Sequence, residues 1–262
     1  MLVLAGACAP FGSAAVNTGS DGGGPQTSDT DGGSTDAASP DAAPADGGPR
    51  SACATASHVV CEDFDRPLPW PGWTPVFQPG SEIERDTQLF VSPPASLHVT
   101  VEPSTSSADH PSYLRRDLPE TQRIAVNANV AVSLSNAPAP NGEIDVIALE
   151  LEPPQGFGRY FVTIVASSNG RYVLETDVTQ NNGGGNLSFR KDLGSLTSGF
   201  APVRLVLDLD AGTVTGEAGG VQQQLTLAMA KGSGASFEIG AAWANNTTGT
   251  FSVNIDDVIV DQ

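Results

Sequence analysis

The chain has 262 residues, with 30 acidic against 12 basic side chains and a formal net charge of −18. That balance argues against nucleic acid and anionic membrane surfaces as partners, because both are approached through Lys and Arg clusters. Only 6% of the residues are aromatic, so a core of ordinary size claims most of them.

In chain order, the first stretch is MLVLAGAC, an apolar run, then the small residues Ala5, Gly6 and Ala7, then Cys8. It resembles the end of a bacterial lipoprotein signal, the lipobox, and the resemblance implies cleavage before Cys8 and a lipid on its sulfur. Such signals usually run to about 15 to 30 residues, so the signal is expected to begin upstream of Met1. Residues 1–16 are assigned to this anchor region. Residues 17–50 are mostly Asp, Gly, Ser, Thr, Ala and Pro, with no aromatic side chain. They cannot bury enough apolar surface to order themselves, and their aspartates repel one another, so they read as a disordered, solvated tether. No other segment approaches transmembrane length, so membrane attachment is expected only through the lipid, at the bacterial envelope or on a secreted protein.

Residues 51–262 read as one globular domain. Cys53 and Cys61 stand close together with no CxxC spacing and no His at metal-ligand distance, which points to a disulfide in an oxidising compartment. By loop-closure arithmetic such a bond contributes about 2.5 kcal/mol. The alternative is a pair of reduced, buried thiols. From His58 onward, short alternating runs are bounded by Gly, Pro, Asn or Asp: HVVCEDF, TQLFV, SLHVTV, RIAVNANVAVSL, IDVIALELE, RYFVTIVAS, RYVLETDV, NLSFRKDL, VRLVLDLD, TVTGEA, VQQQLTLA, FEIGAAW and FSVNIDDVIV. These are strands, and so many long-range pairings are expected to close into an all-β, two-sheet antiparallel sandwich. In the last of them, Phe251, Val253 and Ile255 are followed by Val258 and Val260, which belong to the other parity. That change predicts a bulge at Asp256 and Asp257.

Four landmarks occur in order: CEDFD before Trp70 and Trp73, SPPASLHVTV from Ser92, VRLVLDLDAGTV followed later by FEIG, and the closing IDDVIVD. Together they resemble the concanavalin A-like lectin and laminin G-like jelly rolls. The resemblance implies a jelly-roll sandwich and a function among carbohydrate-binding modules, adhesion domains, glycosidases and polysaccharide lyases. Laminarinase-type glycosidases of this superfamily carry Glu-x-Asp-x-Glu or Glu-x-Asp-x-x-Glu on one strand, with the first Glu as nucleophile and the last as acid and base. Here Glu143 and Asp145 match the first half, but Ile147 and Ala148 stand at the acid positions, and simple alternation puts Glu150 on the opposite face. No catalytic residue is therefore assigned.

Sugars stack on aromatic faces while their hydroxyls meet Asn, Asp and Gln, which makes Trp243 with Asn245 and Asn246, and Trp73, the candidate ligand-binding residues. Jelly rolls of this kind often hold a structural calcium between their first and last strands. The resemblance implies Asp63, Asp65 and Asp256 as its ligands, since hard cations take carboxylate oxygens. No other cofactor is expected. His58, His98 and His110 lie apart, without zinc-ligand spacing, and His98 reads as a surface residue. The expected function is a lipid-anchored envelope protein that binds a polysaccharide or cell-surface glycan without catalysis. The alternatives are a hydrolase or lyase with a degenerate site, and a structural envelope protein.

Overall fold

The computed structural model describes Cys53 and residues 57–77, 79–103, 111–135, 142–152, 157–180, 186–227, 235–245 and 249–262. Cys8, the 17–50 tether and Asn246 lie outside the described residues. Sixteen strands form among the described residues: β1 (Val60–Glu62), β2 (Thr74–Phe77), β3 (Ser81–Asp86), β4 (Ser96–Val101), β5 (Ser112–Leu118), β6 (Arg123–Ser135), β7 (Glu143–Leu151) and β8 (Phe157–Ser167). They continue with β9 (Arg171–Gln180), β10 (Asn186–Ser195), β11 (Ala201–Asp208), β12 (Thr213–Ala218), β13 (Val221–Thr226), β14 (Ala235–Ala241), β15 (Ala244–Asn245) and β16 (Thr250–Asp261).

Two antiparallel sheets share them. The first has the order β13-β12-β11-β6-β16-β4-β3, with β1 also pairing β16; the second has the order β10-β9-β8-β7-β14-β5-β2, with β15 also pairing β7. The sandwich read from the alternation is therefore present. Strands β11 and β6 pair with Val203 opposite Ala128, Leu205 opposite Val126 and Leu207 opposite Ile124, so one apolar face is continuous across them. Against it pack Ile147 and Leu149 of β7, Val162 and Ile164 of β8 and Leu174 of β9, all fully buried. Gly216 on β12 shows how close the layers come: a Cβ there would sit 2.9 Å from Leu174 Cδ1 and 3.0 Å from Ile164 Cδ1. A side chain there would force the Leu174 and Ile164 tips to move.

The bulge expected in β16 is real. Register with β6 slips between Asp256, opposite Asn129, and Ile259, opposite Asn127, and Asp257 takes φ 50°. On its other edge β16 pairs β4 from Phe251 to Ile255 and β1 from Val258 to Val260, so the bulge lies where that neighbour changes. Asp256 points away from the sandwich core, as alternation requires, yet it is fully buried. The segment before β4 covers it, with Asp256 Oδ2 accepting from Val91 N at 2.7 Å and Ser92 N at 2.9 Å, and Oδ1 from Asp257 N at 2.8 Å.

The same contacts correct the strand expected at TQLFV. Residues 87–91 form no ladder, because Asp86 Oδ1 takes the Gln88 and Leu89 N–H groups and Asp256 takes that of Val91. Strands β3 and β5 were missed because charged side chains crowd their alternation. The Cys53–Cys61 disulfide is formed. Among the described residues no helix is long and apolar enough to cross a membrane.

The Asp256 carboxylate thus serves three backbone donors, the N–H groups of Val91, Ser92 and Asp257. Asp256→Ala is expected to destabilise the domain by about 3 kcal/mol, with Asp256→Asn intermediate. The check is the urea midpoint at unchanged m-value.

Candidate functional site

The outward face of the second sheet carries the densest set of chemically active side chains, and strand register explains how it is assembled. One row crosses six strands: Arg115, Glu238, Ala148, Thr163, Glu175 and Arg190 stand opposite one another in turn. Beside it runs a second row of Asp117, Ser236, Glu150, Phe161, Asp177 and Ser188. Residues paired across a ladder share a face, so two rows of a strand-period pattern become one surface.

A second bulge makes the surface continuous. The β7–β8 register shifts between Asp145 and Ile147, while Asp145 N donates to Trp243 O and its own carbonyl accepts from Ala242 N, both at 2.9 Å. Ile144, Val146, Ile147 and Leu149 all bury, leaving Glu143, Asp145, Ala148 and Glu150 on the outward face. Glu150 is therefore on the same face as Asp145, contrary to the expectation from simple alternation, because Val146 adds one residue to the count. Ala148 lies across the bulge where the resemblance puts the acid, and its methyl group carries no proton.

Two arginine-centred clusters lie at the ends of the rows. Arg115 Nη1 donates to Glu150 Oε2 at 2.8 Å and reaches Glu238 Oε1 at 3.5 Å, while its Nε stands 3.7 Å from Asp117. Arg190 Nη2 donates to Glu143 Oε1 at 2.7 Å, its Nε lies 3.4 Å from Glu175 Oε2, and Ser188 donates to Glu175. Between the clusters the surface is uncharged at Ala148 and Thr163, and Arg159 lies 5.9 Å over the Phe161 ring. Burial pushes the Glu238 carboxyl up to about 7, with the Glu150 charge adding and Arg115 opposing. Burial and the charges of Glu175 and Glu143 hold Asp145 well above the usual carboxylate range, and burial raises Glu175 and Asp177 too.

Of the residues singled out in the sequence, Asn245 is exposed and stands opposite Glu143, at the edge of this face. Trp243 is half-buried beside it, tied to the bulge through its carbonyl. Trp73 is not part of the surface: it is 7% exposed, packs on Phe237 with ring centroids 5.7 Å apart, and has Arg116 over its ring. A ring so enclosed offers no sugar-stacking face, and its ligand-binding assignment is withdrawn. Trp70, Tyr160 and Tyr172 are likewise core residues.

The expected calcium ligands are not gathered as a set. The Asp256 oxygens are occupied by the N–H groups described above, and the charges acting on Asp65 are those of Asp63, Arg85 and Asp257. Burial and Asp63 push Asp65 up to about 6. Among the described residues no three His, Cys, Asp or Glu side chains form a group able to hold a metal ion. His98, read as a surface residue, has both ring nitrogens engaged, Nδ1 with Asn254 and Nε2 with Thr100, each at 3.0 Å.

Sequence reasoning missed Arg115, Glu175, Asp177, Arg190 and Glu238. Their signal was charge at alternate positions, as in YLRRD, LETD and FRKD, which reads equally as ordinary solvated strand face.

No family model and no curated protein matches the sequence. Solved structures do resemble the domain. An endo-β-1,4-glucuronan lyase from the fungus Trichoderma reesei superposes with a TM-score of 0.60 at 13% identity, over 79% of this chain and 96% of that one. A cellulose-induced protein gives 0.54 at 15% identity, over 77% and 96% of the two chains. The Bacteroides ovatus mixed linkage glucan PUL GH16 protein, solved with a G4G4G3G product, gives 0.53 at 9% identity, over 77% and 99%. The domain has the concanavalin A-like jelly-roll fold.

Glu238 is 3% exposed, and its folded-state pKa lies above its ordinary value of 4.5. The folded state therefore holds this proton more firmly, and its contribution to stability is full below about pH 4.5 and is lost as pH rises through about 7. Glu238→Gln removes that loss. Between about pH 4 and pH 8 the variant's stability relative to the parent is expected to rise by about 3 kcal/mol, measured by urea denaturation at each pH.

Proposed function

We propose that the domain binds an extended, uncharged polysaccharide along the outward face of its second sheet, without cleaving it. The observation that carries this reading is the row itself, with arginine–carboxylate clusters at both ends and Ala148 at the position where the glycosidase resemblance needs an acid. Arg, Glu and Asp planes suit the vicinal hydroxyls of sugars, since each offers two parallel hydrogen-bonding positions. Seven carboxyls, Asp117, Glu143, Asp145, Glu150, Glu175, Asp177 and Glu238, share the face with Arg115, Arg159 and Arg190. That excess of negative charge opposes polyuronates and favours neutral chains. The fold, shared with proteins named for glucuronan and mixed-linkage glucan, supports glycan as the ligand class. Trp243 and Asn245 would extend the face at its Glu143 edge.

In this reading the domain works at the bacterial envelope, held by a lipid on Cys8 and separated from the membrane by the acidic tether. One observation favours a second reading, a hydrolase. Glu238 stands directly opposite Ala148 on the neighbouring strand and keeps its proton up to about pH 7, as a displaced general acid would.

Affinity electrophoresis of the full chain is the test. Soluble neutral β-glucan or xylan is expected to retard it and glucuronan is not, and Arg190→Ala with Glu175→Gln is expected to weaken binding at least tenfold, about 1.4 kcal/mol. No retardation by either neutral polymer would overturn the binding reading. New reducing ends that disappear in Glu238→Gln would replace it with hydrolysis. For the anchor, labelling of cells with a radioactive fatty acid is expected to mark the parent protein and not Cys8→Ser; label retained in the variant would refute lipidation there.

A further inference from the structure

We propose that the outward face of the first sheet, on the far side of the sandwich from the polysaccharide face, carries a second and smaller binding pocket that takes a single neutral sugar unit. The bulge of β16 builds it. Because β6–β16 register passes from Asp256 opposite Asn129 to Ile259 opposite Asn127, two residues of β16, Asp257 and Val258, lie against the single residue Ala128. Val258 turns into the core and is fully buried, so the residue that the bulge adds to the outward surface is Asp257, beside Ile259. A hollow of about 300 Å³ opens there. That is the lower end of the range for small-molecule sites, which suits one sugar ring better than a chain.

The side chains around the hollow are not spent on one another. Arg204 on β11 stands opposite Glu217 on β12 and opposite Asn127 on β6, yet among the described residues none of the three makes a side-chain hydrogen bond or ion pair. Within the wall the polar contact is a long one, Asn129 Nδ2 to Asp257 Oδ2 at 3.4 Å, and from outside it Ser92 Oγ donates to Asp257 Oδ1 at 2.9 Å. A guanidinium, two carboxylates and two amides line the same space, and among the described residues Arg204, Glu217 and Asn127 keep their donor and acceptor positions open. Opposite charges that face each other without closing the gap leave room for a group that accepts from one and donates to the other. A hydroxyl does both, and a pair of adjacent hydroxyls matches the two-pronged geometry of carboxylate, amide and guanidinium. Ile259 and Pro202 add apolar wall for the C–H face of a ring.

The charge count selects against other ligands. Two carboxylates against one guanidinium disfavour phosphate or sulfate, and the guanidinium disfavours a metal ion. The class left is a neutral polyol of pyranose size. The polysaccharide face lies on one sheet and this pocket on the other, so the two are separate sites. The choice of a sugar as ligand leans on the reading above, but the pocket's geometry does not.

The experiment separates the two. The ¹⁵N-labelled full chain is titrated at millimolar concentration with methyl β-D-glucopyranoside, methyl β-D-xylopyranoside and D-galactose, with sodium sulfate as the anion control. At least one sugar is expected to shift the Asn127 and Asn129 side-chain amides and the Arg204 and Asp257 backbone amides along a common saturating curve. Asn127→Ala with Arg204→Ala is expected to abolish these shifts while leaving retardation by neutral polysaccharide within twofold of the parent. Arg190→Ala with Glu175→Gln is expected to keep them. First-sheet amides unmoved by all three sugars, or moved by sulfate alone, would overturn the pocket whatever the polysaccharide result.

Discussion

Everything in this sandwich depends on how β16 serves three neighbours. It runs beside β6 along its whole length, while its other edge is shared between β4 and β1. A regular strand keeping Phe251, Val253 and Ile255 inward would also drive Asp257 into the core, where an unpaired carboxylate is intolerable. Inserting one residue at the junction puts Val258 and Val260 inward and the aspartate outward. The carboxylate next to it then secures the covering segment, because Asp256 accepts the N–H groups of Val91 and Ser92 that no ladder takes. Closing strand, first strand and the loop before β4 are thus tied at one place.

The same device recurs in the other layer with a different result. In β7 the extra residue is apolar, Val146, and it enters the core; the consequence is that Glu143, Asp145 and Glu150 come to share the outward face. Each sheet's candidate ligand surface therefore lies at a bulge. A bulge changes which side chains emerge without interrupting the apolar layer beneath, so the core stays closed while the surface is re-aimed. The two surfaces differ in how far their charges are already satisfied. Arg115 is held by three carboxylates and Arg190 by two, which fixes their planes for an extended ligand, whereas Arg204 makes no side-chain hydrogen bond or ion pair among the described residues.

Much of the architecture was legible because burial writes itself into alternation. The apolar phases of β6, β11 and β16 alone imply strands with one wet face, and the break in phase at Asp256–Asp257 named its own bulge. The break in β7 was not legible. There Val146 and Ile147 are both apolar, as is Ala148, so nothing in the run marks which residue is the extra one, and Glu150 was assigned to the wrong face. Residues 87–91 misled for the opposite reason: an apolar pair at Leu89 and Phe90 suggests a strand, but the N–H groups answer to Asp86 and Asp256, the latter 165 residues from Val91.

What the sequence determined by itself was therefore local and periodic: the composition that sets residues 17–50 apart, the short-range cysteine pair, and most of the strands with their buried faces. These follow from each residue's own chemistry and that of its near neighbours. Tertiary structure alone decided which strands adjoin, and so which charges meet. Glu238 comes beside Arg115 and Glu150, and Glu175 beside Arg190, only because β14, β5 and β7, and β9 and β10, lie side by side in a particular register. Register is fixed by the packing of two whole sheets, a property of the closed sandwich that no single stretch of chain contains.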